Sequence, residues 1–259
     1  MVVANDDLSG RVAIVTGGGR GVGQAISVGL AECGADVALT YNRDVETAEQ
    51  TVKQIEALGR KAKHYQAGVQ SREDVEALVN NVVSDFGGID ILVNNAGIAS
   101  RGKTVADTDP DELERVIRVH ALGPHYLCSL VLPHMRKRDR GDIVMISSIA
   151  TLKMSANGAP YNMGKAAMEA LTQTLAREER ANNIHASVVR PGLVETEMGN
   201  RLAIATRNVE HIKDLASKSP FNRVCQPKDV ADAVVFLVSS RGSYLSGQTI
   251  EVSGGQEWF

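Results

Sequence analysis

Short apolar runs alternate with longer stretches of helical period along this chain of 259 residues. That alternation is what a parallel sheet with crossover helices produces. The apolar runs predict strands at 11–16, 36–41, 61–66, 89–94, 141–147, 184–190 and 248–252. Several are almost continuous in Val, Ile, Ala and Leu, as strands covered on both faces should be. Between them, 24–32, 45–58, 73–86, 110–135 and 161–180 have the length and apolar recurrence of helices. Gly34, Gly59, Gly87 and Gly88 stand where helices should stop. The reading is an α/β fold, one parallel sheet with helices on both faces. No linker, low-complexity segment or solenoid-period repeat divides the chain, so residues 1–259 are read as one domain. One irregular stretch, 195–227, precedes the last long helix and is predicted to be a substrate lid.

Composition narrows the classes. With 43% hydrophobic and 23% charged residues the chain can bury one large core, which excludes disordered and fibrous architectures. A formal net charge of -3 and a pI near 6.1 give no basic field for a phosphate backbone, so the expected partner is a small molecule and not a nucleic acid. Cys33, Cys128 and Cys225 are odd in number and widely spaced, which suggests neither disulfides nor a zinc site, and no metal is expected. The first ten residues lack the basic-then-apolar order of a secretory signal, and no run reaches the ~18 apolar residues of a membrane span. A reducing cytoplasm fits these features.

Two local patterns carry chemistry. The first strand runs into Thr16-Gly17-Gly18-Gly19-Arg20-Gly21-Val22-Gly23 and then a helix. Glycines there let the backbone turn sharply and approach a dinucleotide pyrophosphate, which free N–H groups and the helix dipole favour. Tyr161 and Lys165 lie four residues apart at the start of a helical segment, so both emerge on one face. A tyrosine titrates near ~10 and needs a nearby cation to act as an acid or base at neutral pH, and Lys165 is placed to be that cation.

Further stretches join these in a fixed order. The glycine turn is spaced T-G-x-x-x-G-x-G, Asn94-Asn95-Ala96-Gly97 closes the fourth strand, and Ser148 ends the fifth, 13 residues before Tyr161. Pro191-Gly192-Leu193-Val194-Glu195-Thr196 follows the sixth strand. In this combination the chain resembles the short-chain dehydrogenase/reductase family over nearly its whole length, and within it the 3-oxoacyl-(acyl-carrier-protein) reductase-like members. The resemblance implies a single doubly wound Rossmann-like domain, seven parallel strands in the order 3-2-1-4-5-6-7, usually a homotetramer. It implies an oxidoreductase that transfers a hydride between a nicotinamide cofactor and a carbonyl or secondary alcohol. Ser148 would hydrogen-bond the substrate oxygen, Tyr161 would pass the proton, and Lys165 would depress the tyrosine pKa and bond the nicotinamide ribose. Ser147 is the adjacent rival, and the spacing favours Ser148. Gly17, Gly19, Gly21, Val22 and Gly23 would hold the pyrophosphate, Asn95, Ala96 and Gly97 the adenosine side, and Pro191, Gly192, Val194 and Thr196 the nicotinamide.

Charge argues the cofactor. An NAD site places a carboxylate at the end of the second strand for the ribose 2′-OH. That position is Tyr41, followed by Asn42 and Arg43. Arg20, in the glycine turn, and Arg43 could hold a 2′-phosphate instead, so NADP(H) is favoured, with NAD(H) as the alternative.

Two positions depart from the family. His120 stands where an asparagine commonly completes a proton relay; a histidine titrates near neutrality, so the relay is expected to survive with a more acid-sensitive rate. Gly68, before Val69, replaces an aspartate that bonds the adenine amine, leaving backbone and apolar contacts for that base. Three further readings are set beside the main one: a non-catalytic NADP-binding regulator, a 3-oxoacyl thioester reductase, and an aromatic tail at 256–259 packed in a subunit interface. The basic run 136–140 leads into the opposite end of the fifth strand and is expected to be a solvated loop, not a carrier-protein docking patch.

Overall fold

The strands form where the apolar runs predicted them, within a residue or two at each end. They are β1 (Val12–Val15), β2 (Asp36–Tyr41), β3 (Ala62–Gln66), β4 (Ile91–Asn94), β5 (Gly141–Ile146), β6 (Ile184–Pro191) and β7 (Thr249–Val252). The structure is a computed structural model and describes residues 6–255, so the aromatic tail at 256–259 lies outside the described residues. Among the described residues the sheet has seven strands in the order β3-β2-β1-β4-β5-β6-β7, every pairing parallel.

Among these residues there are nine α-helices: α1 (Gly21–Glu32), α2 (Val45–Ala57), α3 (Arg72–Phe86), α4 (Pro110–Ile117), α5 (Gly123–Met135), α6 (Ala150–Lys153), α7 (Ala159–Glu178), α8 (Glu197–Arg207) and α9 (Pro227–Val238). Alternation along the strands sends side chains to two separate cores. Ile14, Leu92, Ile143 and Val188 pack on one face with Val79 of α3, Val131 of α5 and Met168 of α7. Ala13, Val15, Val93, Val144 and Val189 pack on the other with Ile26 of α1, Ala48 of α2 and Val234 of α9. No helix among the described residues is long and apolar enough to cross a membrane.

Three expectations change. The predicted helix at 110–135 is interrupted by a π-helical turn, Arg118–Leu122, between α4 and α5, with the Gly123 N–H bonded to the Arg118 carbonyl. Pro124 explains the wider turn: it has no N–H for a regular helical bond, and its ring would crowd the carbonyl four residues back. The stretch 195–227 is not irregular, since Thr196 caps α8 through Gly199 N at 3.0 Å and short 3₁₀ turns follow at Ile212–Lys218 and Pro220–Asn222. Finally, the run 136–140 is a loop exposed at Arg136, Lys137 and Asp139, as expected, but its arginines are not free in solvent. Arg136 pairs with Glu179 (2.5 Å), Arg138 with Asp90 (2.6 Å) and Arg140 with Asp142 (2.8 Å), three buried carboxylates that need a cation each.

Candidate active site

The strand order reverses between β1 and β4, and the crevice at their carboxyl ends is where such sheets bind ligands. Gly17 and Gly21 take φ of 62° and 54°, conformations that favour glycine. A Cβ at Gly23 would stand 2.1 Å from the Gly17 carbonyl oxygen, so only glycine lets α1 start this close to the turn. The N-terminus of α1 has no side-chain cap and no acidic residue in its first turn. Its N–H groups and positive dipole end are therefore left for an anion, which fits a pyrophosphate.

Thr16 and Asn95 brace this turn. Thr16 Oγ1 accepts from Asn95 N (3.0 Å) and Ala96 N (2.9 Å), while Asn95 Nδ2 donates to the Thr16 carbonyl at 2.9 Å. Tyr41 stands edge-on to His64, and Gln66 Nε2 donates to the Asn42 carbonyl at 3.0 Å. Arg43 is exposed, and Asp44 is occupied in capping α2 through Thr47 N at 3.1 Å. Arg20 pairs with Glu197 at 3.1 Å, with both side chains well exposed. Glu197 was not singled out in the sequence; it is the first residue of α8, directly after the capping Thr196. Gly68 N donates to Asp74 Oδ2 at 2.9 Å, and a Cβ on Gly68 would meet the Gln70 amide. Val69 is buried.

On the other side of the crevice Gly192 N bonds the Val252 carbonyl at 3.0 Å, and Val194 forms a bridge with Cys225. The Thr196 methyl lies 3.4 Å from where a Gly21 Cβ would stand, so the root of α8 rests against the glycine turn, with Val22 beside it in α1.

The proton-transfer candidates meet at the carboxyl end of β5. Tyr161 stands within the influence of the Ser148 side chain, which acts to lower its pKa, while Ser147 Oγ points away and donates to Glu169 at 2.6 Å. Burial holds the Tyr161 phenol above its ordinary value, against a smaller lowering by Ser148. Lys165 is 3% exposed, donates to the Ile146 carbonyl at 2.6 Å, and has its Nζ 5.7 Å from the Tyr161 ring centroid. Burial brings its ammonium down from 10.5 to about 7, with the Glu169 charge pulling the other way.

His120 sits in the π-helical turn, fully buried, with its ring edge-on to Tyr161 at 5.2 Å between centroids. Gly97 and Gly164 make the space: a Cβ on either would come within 2.8 Å of it. Its Nε2 lies 2.8 Å from the Ile98 carbonyl and 3.2 Å from the Ile98 N–H; the shorter contact favours Nε2 as the protonated nitrogen, and Nδ1 is buried without a partner. Burial first, and then the Lys165 charge, push its pKa down to about 3. The ring is thus neutral through the range in which the sequence suggested it would titrate, and an acid-sensitive rate from this group is not expected.

The cluster therefore offers a protonated phenol, a hydroxyl and a buried amine at the carboxyl end of β5. No group of three or more His, Cys, Asp or Glu among the described residues could hold a metal ion.

A family model described as enoyl-(acyl carrier protein) reductase matches residues 17–257. The chain is 34% identical to 3-oxoacyl-(acyl-carrier-protein) reductase FabG of Staphylococcus epidermidis over 246 residues, 95% of this chain and 98% of that one. Among solved structures, a short chain dehydrogenase from Burkholderia cenocepacia in complex with NADP superposes with a TM-score of 0.87 at 34% identity, covering 96% and 98% of the two chains. A 7α-hydroxysteroid dehydrogenase complexed with NADH and 7-oxo glycochenodeoxycholic acid gives 0.88 at 32% identity, covering 97% and 96%.

Proposed function

Because the chain belongs to the short-chain dehydrogenase/reductase family of oxidoreductases, we propose that it transfers a hydride between NADP(H) and a carbonyl or secondary-alcohol substrate through Ser148, Tyr161 and Lys165. The observation that carries this reading is buried Lys165, bonded to the Ile146 carbonyl at the carboxyl end of β5 with its Nζ 5.7 Å from the Tyr161 ring, and Ser148 close enough to act on the phenol.

The nicotinamide, when bound, supplies or accepts the hydride. In reduction Ser148 hydrogen-bonds the substrate oxygen, and Tyr161 donates its proton to that oxygen. Burial favours this protonated phenol. The phenolate left behind is stabilised by the Lys165 ammonium, and oxidation runs the same steps backwards. His120 completes the constellation by packing against the Tyr161 ring and offering Nδ1 as an acceptor, for which an internal water is a suitable donor. Gly17, Gly19, Gly21, Val22 and Gly23 would hold the pyrophosphate, Gly68, Val69, Asn95, Ala96 and Gly97 frame the adenosine side, and Pro191, Gly192, Val194 and Thr196 the nicotinamide.

NADP(H) is favoured because no free carboxylate stands at the end of β2: Tyr41, Asn42 and exposed Arg43 are there, and Asp44 is spent on its cap. The NADP complex of the Burkholderia relative supports this. NAD(H) is the second reading, since Arg20 pairs with Glu197, a carboxylate that also bonds Arg201, and the steroid dehydrogenase neighbour is complexed with NADH. A 3-oxoacyl thioester is the substrate suggested by the staphylococcal relative's name. Homotetrameric assembly and a reducing cytoplasm belong to the same reading; Cys33, Cys128 and Cys225 are all unpaired thiols.

The test is a fluorescence titration with NADPH and NADH, followed by turnover on a panel of ketones, quinones and 3-oxoacyl thioesters. NADPH is expected to bind more tightly. Tyr161→Phe is expected to lose roughly 100- to 10,000-fold in kcat with NADPH binding retained. Tighter NADH binding would overturn the roles of Arg20 and Arg43. NADPH binding with no turnover across the panel would favour the non-catalytic regulator, and a fully active Tyr161→Phe would remove the mechanism.

A further inference from the structure

Tyr161, Lys165 and Glu169 follow one another at intervals of four along α7, so they share one face of the helix. Two of them belong to the proposed chemistry. The third carries a set of bonds that no ordinary surface glutamate needs. Glu169 Oε1 lies 2.6 Å from Ser147 Oγ, 2.8 Å from Thr151 Oγ1 and 3.1 Å from Arg190 Nε, and Oε2 lies 2.6 Å from Arg190 Nη2. The side chains of Glu169 and Arg190 are 17% and 15% exposed, so water competes little for these bonds.

The partners bracket Ser148. Ser147 precedes it, and the Thr151 N–H donates to its carbonyl at 3.1 Å, with Thr151 Oγ1 also 2.9 Å from that oxygen. Arg190 lies on β6, one residue before the Pro191-Gly192 turn. One carboxylate therefore joins the helix that bears Tyr161, the segment that bears Ser148 and the strand that leads to the nicotinamide side.

We propose that Glu169 is a positioning residue of the active site, its carboxylate fixing the Ser148 segment and the Arg190 strand against the face of α7 that carries Tyr161 and Lys165. The inference rests on the Ser148, Tyr161 and Lys165 reading above. A one-ångström slip between proton donor and hydroxyl is enough to cost a large factor in rate, so a clamp of charge-assisted bonds at this junction bears on kcat more than on binding.

Charge adds a second effect. The groups facing Lys165 are Tyr161 and Glu169 on its own helix and neutral His120 from the π-helical turn, with the Arg190 cation behind Glu169. The Glu169 charge acts to keep Lys165 protonated. Its removal leaves Lys165 easier to neutralise, so the rate of reduction, which uses the ammonium, should fail at lower pH.

The test is steady-state reduction by Glu169→Gln and Thr151→Val as a function of pH, beside NADPH titration and thermal melting. Glu169→Gln is expected to lose roughly ten- to a hundred-fold in kcat with KM changed less than about three-fold, and its alkaline limb should move to lower pH. Thr151→Val keeps the charge, and should lose a few-fold in kcat with the limb unmoved; it also serves if Glu169→Gln does not fold. Variants that melt earlier but keep the parental kcat and pH profile would overturn the proposal and leave an ion pair of purely structural role. If Tyr161→Phe is inactive while these variants are normal, only the Glu169 proposal fails. If Tyr161→Phe is itself active, the underlying reading fails first.

Discussion

Lys165 is held where a lysine is costly, and the cost can be measured. Between its folded pKa of about 7 and its ordinary 10.5, the unfolded chain binds a proton that the folded chain releases, so stability rises with pH across that window. From these two values the ionisation of Lys165 disfavours the folded state by about 4 kcal/mol at pH 7, falling to about 2 kcal/mol at pH 9. Lys165→Met removes this penalty, and loses the bond to the Ile146 carbonyl, worth ~1–3 kcal/mol when an acceptor is left unpaired. The variant should be more stable than the parent by roughly 1–3 kcal/mol at pH 7. It should lose about 2 kcal/mol of that advantage by pH 9, because the parent gains stability there and the variant does not. The bond to Ile146 is common to both pH values, so the change between them isolates the ionisation. Urea unfolding of the cofactor-free proteins at pH 7 and pH 9 reads it directly, and Lys165→Met should be inactive. A stability difference that is the same at the two pH values would refute the argument, since a lysine of ordinary pKa stays protonated in both states throughout that range.

Two other outcomes follow from the packing around His120. Its ring should stay neutral, with the proton on Nε2, in nitrogen-15 spectra of the labelled histidines down to pH 5, and stability attributable to it should be complete above pH 6.5 and fall as pH drops toward 3; a His120 resonance titrating between pH 6 and 7 would contradict this. Gly164→Ala places a methyl 2.8 Å from the His120 Cβ, so despite better helix propensity it should cost ~1–3 kcal/mol, a fall of several degrees in Tm by circular dichroism. An unchanged Tm would mean that His120 yields freely.

The parts of the molecule that sequence describes well are local ones. Strand 36–41 was legible to the residue because β2 is a buried run bounded by Gly34 and polar Asn42. Tyr161 and Lys165 could be singled out because one helical turn relates them, and Ser148 because its spacing before Tyr161 is the one that the short-chain dehydrogenase/reductase resemblance implies. What stayed hidden is long-range or weakly patterned. The π-helical turn was signalled by Gly123-Pro124, two residues within an otherwise regular apolar period. The helix α8 escaped because it buries only Gly199 and Ala203 and exposes Met198, Leu202 and Ile204, so it has no apolar stripe to read. Glu169 carried one available signal, its place one turn beyond Lys165, but its meaning depends on Ser147 and Arg190, which only the folded sheet brings to it.

The two ends of the same sheet handle buried charge in opposite ways, and this separates stability from function. At the amino ends of the strands Asp90 is bonded by Arg138, and Asp142 by both Arg11 and Arg140. Each buried carboxylate there has its guanidinium, and removing one partner would strand the other. At the carboxyl ends the accounts are left open: Lys165 has a carbonyl as its hydrogen-bond partner in place of a carboxylate, and His120 keeps an unbonded Nδ1. Glu169, the carboxylate whose charge acts on Lys165, is held one turn along α7 by Arg190, Ser147 and Thr151. Were Glu169 free to bond Lys165, the amine would become an ordinary paired lysine with a pKa far above neutrality, and the carboxylate in contact with it would offset the positive charge that it offers the phenol. The clamp on Glu169 thus serves two ends at once, since the bonds that fix Ser148 also keep the carboxylate from quenching the cation that Tyr161 requires.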